Sequence, residues 1–278
     1  MGIGFSLRHI YGALIRSGIT PLVPMKIISF IPSRYDSTRF PGKPLAPIAG
    51  QPMIQYVYQC ATSCPEISMV FVATDDERIF RCVQDFGGKA IMSEKEHLTG
   101  TDRIAEAVQK MRLARDDLIV NIQGDQPVFN PSLISHLVSP FREDPEILMS
   151  TLKYRISDNK EVENSNHVKV VTDKEGFALL FSRSPIPFYR NRRSDRIYFK
   201  HLGFYAYRRD FLTKFSSLPE GELESSEKLE QLRVLESGFR IKVVETLFDS
   251  IEVDTPEDIK RVEEIVVRSG RRGYHEKG

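Results

Sequence analysis

Three short runs, residues 27–31, 69–74 and 118–122, are apolar on both faces. Each is followed, directly or after a loop, by a stretch whose apolar residues recur at helical spacing. A strand with two apolar faces has to be covered on both. Parallel sheets achieve this with the helices that connect their strands. The spacing predicts helices over 52–63, 76–86, 101–111 and 131–138, the second closed by Gly87-Gly88. A short strand is expected over 89–92. The second half differs: expected strands at 168–171, 178–181 and 203–207 are separated by turns such as Asp173-Lys174-Glu175-Gly176. A helix over 227–237 closed by Gly238, a strand at 241–244 and a last helix from 256 to 267 complete the pattern. The chain therefore reads as α/β, a doubly wound, mostly parallel sheet with an antiparallel extension. It shows no internal repeat and no linker.

The first strand leads into the stretch Ser33-Arg34-Tyr35-Asp36-Ser37-Thr38-Arg39-Phe40-Pro41-Gly42-Lys43-Pro44. Pro32 is expected to stop the strand, and Pro41, Gly42 and Pro44 keep the loop beyond it turned rather than helical. Arg34, Arg39 and Lys43 put three cations beyond the carboxyl end of a first strand, where open α/β sheets bind ligands. That suits a polyphosphate as well as it suits an ordinary solvated basic loop. The stretch is neither a P-loop nor a dinucleotide fingerprint, since Gly42 is its only glycine.

The remaining features narrow the class. With 39 Lys and Arg against 38 Asp and Glu over 278 residues, the chain lacks the basic excess of a nucleic-acid binder. No apolar run is long enough to span a membrane. Cys60, Cys64 and Cys82 cannot all pair, and no secretory signal precedes them, which points to a reducing cytoplasm. Residues 1–24 carry Arg8 and Arg16 without an acid and are read as an extension outside the fold. Residues 25–268 are read as the domain and 269–278 as a frayed tail.

Carboxylates end three of the strand motifs: Ala73-Thr74-Asp75-Asp76, Gln123-Gly124-Asp125-Gln126-Pro127 and Val253-Asp254-Thr255-Pro256-Glu257-Asp258. Asp125 and Asp254 are placed to hold a hard cation such as Mg2+ beside a phosphate. Each reads equally as a turn or helix-cap aspartate when taken alone.

Read together and in order, these motifs resemble the CMP-Kdo synthetase family, the 3-deoxy-manno-octulosonate cytidylyltransferases. The basic loop, Ala73-Thr74-Asp75-Asp76, Gly100-Thr101-Asp102-Arg103 and Asn121-Ile122-Gln123-Gly124-Asp125 carry the first half of the resemblance. The second half rests on Phe181-Ser182-Arg183-Ser184-Pro185-Ile186-Pro187, Lys200-His201-Leu202-Gly203-Phe204-Tyr205-Ala206-Tyr207, Leu229-Glu230-Gln231-Leu232-Arg233-Val234-Leu235-Glu236 and Val253-Asp254-Thr255-Pro256-Glu257-Asp258.

The resemblance implies a nucleotide-diphospho-sugar transferase-like fold and attack of a sugar's anomeric hydroxyl on the α-phosphorus of CTP. It implies Arg39, Lys43, Asp125 and Asp254 as catalytic residues, with Mg2+ on Asp125 and Asp254. Ser33, Arg34, Thr74, Gly100, Thr101 and Gln123 would bind the nucleotide. Arg183, His201, Tyr205, Glu230 and Gln231 would bind an acidic eight-carbon sugar. Two departures stand out: Gln126 where the family usually has Glu, and Asp249-Ser250-Ile251-Glu252 where it usually has a glycine-containing run. Both resemble a branch that activates 8-amino-8-deoxy-Kdo, and they add Glu252 to the sugar-binding set. The remaining expectation is a homodimer formed through the antiparallel extension. A non-catalytic nucleotide- or sugar-binding module and a same-fold enzyme for another acidic sugar are the competing readings.

Overall fold

The structure is a computed structural model, and it describes residues 25–36, 40–94, 97, 99–191 and 196–271. The extension 1–24 and Arg39 lie outside the described residues. In chain order the strands are β1 (Ile27–Ser33), β2 (Pro47–Ile48), β3 (Gln51–Pro52), β4 (Met69–Thr74), β5 (Ala90–Met92), β6 (Leu118–Asn121) and β7 (Val128–Phe129). They continue as β8 (Met149–Arg155), β9 (Lys169–Thr172), β10 (Ala178–Ser182), β11 (Phe199–Arg208), β12 (Lys242–Thr246) and β13 (Ser250–Ile251).

Among the described residues nine strands form the main sheet. β5, β4, β1 and β6 lie side by side and parallel. The chain runs outward from β1 through β4 to β5, then returns to place β6 on the other side of β1. That reversal makes the carboxyl ends of β1 and β6 the switch point where such sheets take ligands. β11 joins β6 antiparallel through Tyr205–Arg208 and carries β8 along its other edge. β12 adds parallel to β8. At its start β11 also meets β9, which pairs with the outer strand β10. The register of β11 slips between Leu202 and Tyr205, around Gly203, where the core sheet hands over to the extension.

The sequence makes β1 a central strand: all seven residues are buried, Ile27 and Ile31 in one core and Ile28 and Phe30 in the other. The first core packs beneath the Met53–Thr62, Glu77–Asp85 and Ser132–Val138 helices. The second packs beneath Gly100–Gln109 and Arg209–Ser217. A small third cluster seats the Pro256–Arg271 helix through Val262 against Ile48 of β2, with Met53 and Val253. Among the described residues no helix is long and apolar enough to cross a membrane.

Four details differ from expectation. Pro32 lies inside β1, because β6 pairs only as far as Phe30 and the missing proline donor interrupts no bond to it. β8 carries no clear apolar alternation. Its buried Ser150 and Thr151 are satisfied locally, by the Leu137 and Phe204 carbonyls. The expected 227–237 helix is two short ones, Glu222–Glu227 and Gln231–Glu236. Lys228 breaks them with φ 53, and buried Arg233 ties them together by donating from Nε and Nη2 to the two oxygens of Glu224, at 2.6 and 2.5 Å. The last helix continues past the expected boundary at 268, to Arg271.

Candidate active site

The loop after β1 is shaped by Gly42. Its φ of 71° is open to glycine, its N–H closes on the Tyr35 carbonyl at 2.9 Å, and a Cβ there would press the Tyr35 ring at 3.1 Å. A short 3-10 turn, Lys43–Leu45, comes next with Pro44 in its opening turn. It points Lys43 across the switch point. There Nζ donates to Asp125 Oδ2 at 2.7 Å and to the Val253 carbonyl at 2.9 Å. Val253 N donates to the Asp125 carbonyl at 2.9 Å. One ammonium thus joins the ends of β1 and β6 to the segment before the last helix. The contact of β1 with the turn after β6 is close. A Cβ on Gly124 would stand 2.9 Å from both the Pro32 carbonyl and Ser33 Oγ.

Two cavities meet here, and Gly100, Gln123, Asp125 and Glu230 line both. The smaller, about 260 Å³, is walled by Pro32, Ser33, Arg34, Lys43, Gly100, Arg103 and Gly124 among others. The larger, about 1180 Å³, brings Asp125, Asp254 and Glu252 together with Arg183, His201, Tyr205, Glu230 and Gln231. The Gly100–Gln109 helix starts between them, its first turn capped by Thr99, whose Oγ1 accepts from Asp102 N at 3.1 Å.

Glu230 reaches over from the broken helix pair and accepts a 2.6 Å bond from Thr101 Oγ1. Burial pushes its carboxyl up, and the Thr101 bond works against that shift. Buried Gln231 leaves its Nε2 without a partner, a donor awaiting an acceptor in the cavity. His201 pairs with Thr151 Oγ1 at 2.9 Å, and burial drops its pKa to about 3. At neutral pH it is a neutral ring that orients a partner rather than a cation. The Arg183 fork is set by its neighbours. Nε donates to the Glu227 carbonyl at 2.7 Å and Nη1 to the Ser165 carbonyl at 2.9 Å, while Glu227 Oε2 accepts from Arg183 N at 2.9 Å.

The wall around Asp125 and Asp254 carries several carboxylates. Glu252 opens to the larger cavity and accepts from Gln126 Nε2 at 3.1 Å. Desolvation, then the charge of Asp125, push its carboxyl up to about 7, and Asp254 adds to the shift. The same cavity is lined by residues not expected in the site: Lys200, which donates to Asp249 at 2.9 Å and stands 3.7 Å from Glu161, and His167 beside Glu161. Lys200 opens the motif that holds His201 and Asp249 opens the divergent run, so their positions were visible. Their pairing depends on tertiary contacts.

Of the expected site residues, Lys43, Asp125, Ser33, Arg34, Gly100, Thr101 and Gln123 converge on the smaller cavity or its junction. Asp254, Glu252 and the five sugar-side residues line the larger one. Thr74 does not line either. It is fully buried at the end of β4 and accepts from Asp76 N at 3.2 Å, as a turn residue does. At the start of the last helix Asp258 Oδ2 accepts from Asp254 N at 3.0 Å and from Thr255 N at 2.8 Å.

The profile of the cytidylyltransferase family matches residues 28–246. The chain is 54% identical over 246 residues to the 3-deoxy-manno-octulosonate cytidylyltransferase of Syntrophus aciditrophicus, covering 88% of this chain and 99% of that protein. It is 53% identical over 240 residues to the 8-amino-3,8-dideoxy-manno-octulosonate cytidylyltransferase of Shewanella amazonensis, covering 86% and 98%. A solved structure of CMP:2-keto-3-deoxy-manno-octonic acid synthetase complexed with CTP superposes with a TM-score of 0.81 at 42% identity, over 88% of this chain and 99% of that one. A 4-diphosphocytidyl-2C-methyl-D-erythritol synthase, at 12% identity and a TM-score of 0.59, shares the fold.

Proposed function

The chain belongs to the cytidylyltransferase family, and from that premise we propose that it couples CTP to a 3-deoxy-manno-octulosonate, releasing pyrophosphate. The observation that carries the reading is the junction of the two cavities. Lys43 and Asp125 stand where a nucleotide in the smaller cavity meets a polar acid in the larger. The sugar's anomeric hydroxyl attacks the α-phosphorus, a bond forms from that oxygen to phosphorus, and the bond to the departing pyrophosphate breaks. Such transfers depend on positioning and on charge placed where phosphate charge builds up. Lys43, with Arg34 and Arg39, holds the triphosphate and meets the leaving group. Arg183 suits the sugar carboxylate through its planar fork. Glu230 and Gln231 receive sugar hydroxyls, and neutral His201 with Tyr205 shapes the pocket around them.

Asp125 and Asp254 offer carboxylate oxygens, the hard donors that Mg2+ takes together with phosphate oxygens and water. The charges of Asp125 and Asp254, which add to the burial that lifts Glu252, support a cation at this wall. When bound, Mg2+ neutralises phosphate charge and lowers the pKa of the attacking hydroxyl. Asp125→Asn and Asp254→Asn should each lower turnover on the order of a hundredfold while the melting temperature holds. A wild-type rate in either variant removes that residue from the metal site.

The finer reading concerns the sugar. Gln126 and Glu252 together favour a substrate with an ammonium at C8, since a cation entering a pocket needs a carboxylate to replace its water. The test compares kcat/KM for 8-amino-8-deoxy-Kdo and Kdo in wild type and Glu252→Gln. Selective loss with the amino sugar supports the reading, and equal use or equal loss assigns Kdo. The outer strand β10 carries exposed Leu179, and exposed Phe188 lies just beyond it. Both support a homodimer through this extension, and the three free cysteines support a reducing compartment such as the cytoplasm. Sedimentation of wild type against Leu179→Asp tests the dimer, and a monomeric wild type rejects it.

A further inference from the structure

Tyr35 follows Arg34 in the loop beyond β1, and it lines neither cavity. Its ring is nonetheless held by two neighbours. The Arg78 guanidinium lies 3.2 Å from the ring centroid. Gly42 stands so close that a Cβ there would meet the ring at 3.1 Å and its hydroxyl at 3.2 Å. The Gly42 N–H also closes on the Tyr35 carbonyl, and Lys43 is the next residue. The place of the ring therefore sets the place of Gly42, and with it the start of the turn that aims Lys43. Arg78 is itself fixed. Its Nε donates to Asp76 Oδ1 at 3.0 Å and its Nη2 to Oδ2 at 2.6 Å. Asp76 caps the Glu77–Asp85 helix by accepting from Arg78 N at 2.9 Å, and its own N–H donates to Thr74 Oγ1. Bonding to Arg78 holds the Asp76 carboxyl below its ordinary range, so the pair keeps its charge at neutral pH. An exposed arginine paired with its own helix cap is common and explains nothing. Here its planar cation stacks on an aromatic face that belongs to the loop carrying Lys43. The same helix also packs beside the Lys43–Leu45 turn.

We propose that Arg78 and Asp76 are positioning residues for the polyphosphate: acting through the Tyr35 ring, they fix Gly42 and so hold Arg34 and Lys43 ready at the junction of the two cavities. This rests on the reading of the junction as a CTP site. Arg78, Asp76 and Tyr35 line neither cavity, so they act on the loop and not on the ligand. A loop held in its binding shape has no ordering to do when the ligand arrives, and releasing it puts that cost back into the affinity. The effect is selective. A ligand whose phosphates meet Lys43 depends on the clamp, and a ligand without them does not.

Isothermal calorimetry of the full chain with CTP, pyrophosphate and CMP reads this directly. Arg78→Met keeps the stem and removes the planar cation. It should weaken CTP and pyrophosphate about five- to tenfold and leave CMP within about twofold. Tyr35→Leu should do the same. With Tyr35→Leu already in place, adding Arg78→Met should cost less than about a further twofold, because the ring it acts through is gone. A full additional loss in the double variant would mean that Arg78 acts by charge alone, and it overturns the proposal. An equal loss for all three ligands, the mark of a general loosening, overturns it too, as does unchanged pyrophosphate binding in Arg78→Met. Should Tyr35→Leu fail to fold, Asp76→Asn still caps the helix but loses the charge that holds Arg78, and unchanged pyrophosphate binding there overturns the proposal equally. These outcomes sink this inference alone. A wild type that binds neither CTP nor pyrophosphate sinks the cytidylyltransferase reading with it.

Discussion

Lys43→Met separates what the junction does for the fold from what it does for the chemistry. The substitution keeps the stem and removes the ammonium that bonds Asp125 and the Val253 carbonyl. The two side chains keep 16% and 30% of their accessible surface, so the pair is neither sealed nor free. Exposed pairs contribute about 0.2–1 kcal/mol, and stripping one partner from a sealed pair costs about 3–5 kcal/mol. Asp125 can rehydrate from the cavity, which places the cost nearer the lower bound, about 1–2 kcal/mol, or a fall in Tm of about 2–8 °C. Turnover should fall much further, at least a hundredfold or about 2.7 kcal/mol, because the ammonium faces the charge that builds on the departing phosphates. Lys43→Arg should sit between, since its planar fork carries the charge in a different shape. Thermal melts and steady-state pyrophosphate release measure both effects on the same samples. A loss of turnover under tenfold, or one fully accounted for by unfolding at the assay temperature, would refute the reasoning.

The same geometry sets other outcomes. Gly124→Ala should push the turn after β6 away from Pro32 and Ser33, costing about 1–3 kcal/mol of stability, and should raise KM for CTP more than KM for the sugar; equal changes in the two KM values would contradict this. Glu106 accepts from Lys110 Nζ at 2.8 Å, from Glu94 N at 2.7 Å and from His97 at 2.5 Å. Burial alone would raise its carboxyl, but these bonds outweigh it and hold the pKa at about 2 against the ordinary 4.5. Its contribution to stability is therefore full above about pH 4.5 and lost as pH falls toward 2; Glu106→Gln should flatten that part of the melting profile, and an unchanged profile would remove Glu106 from the acid dependence. A chain beginning at Met25 should fold and turn over as the full chain does, whereas a large fall in Tm on truncation would place residues 1–24 against the domain.

Much of this was legible in the sequence because the signals are local. The apolar runs that became β1, β4 and β6 have two hydrophobic faces, and a parallel sheet is the arrangement that covers both. The turn chemistry after β1 and β6 put Lys43 and Asp125 on one rim without any knowledge of their contact. What escaped depends on long-range partners. Ser150 and Thr151 look like loop residues until the Leu137 and Phe204 carbonyls stand opposite them. Residues 227–237 have helical spacing throughout. Their break at Lys228 is held by the Glu224–Arg233 pair, and without that break Glu230 and Gln231 would continue a helix begun earlier. Arg103 sat inside a recognised motif yet gave no sign that its Nε would lack an acceptor, since that depends on Asp75 lying at the end of β4. Thr74, by contrast, is buried at the end of β4 and closes a turn by accepting from Asp76 N.

The most direct test of the central claim is phosphorus NMR of one reaction containing the protein, CTP, Mg2+ and a 3-deoxy-manno-octulosonate. A CMP-sugar phosphodiester signal and a pyrophosphate signal should grow in equal amounts as CTP disappears. Pyrophosphate without the CMP-sugar would make the protein a CTP hydrolase. An unchanged spectrum with Kdo and with its 8-amino analogue would make it a binding module, and either result would contradict the account.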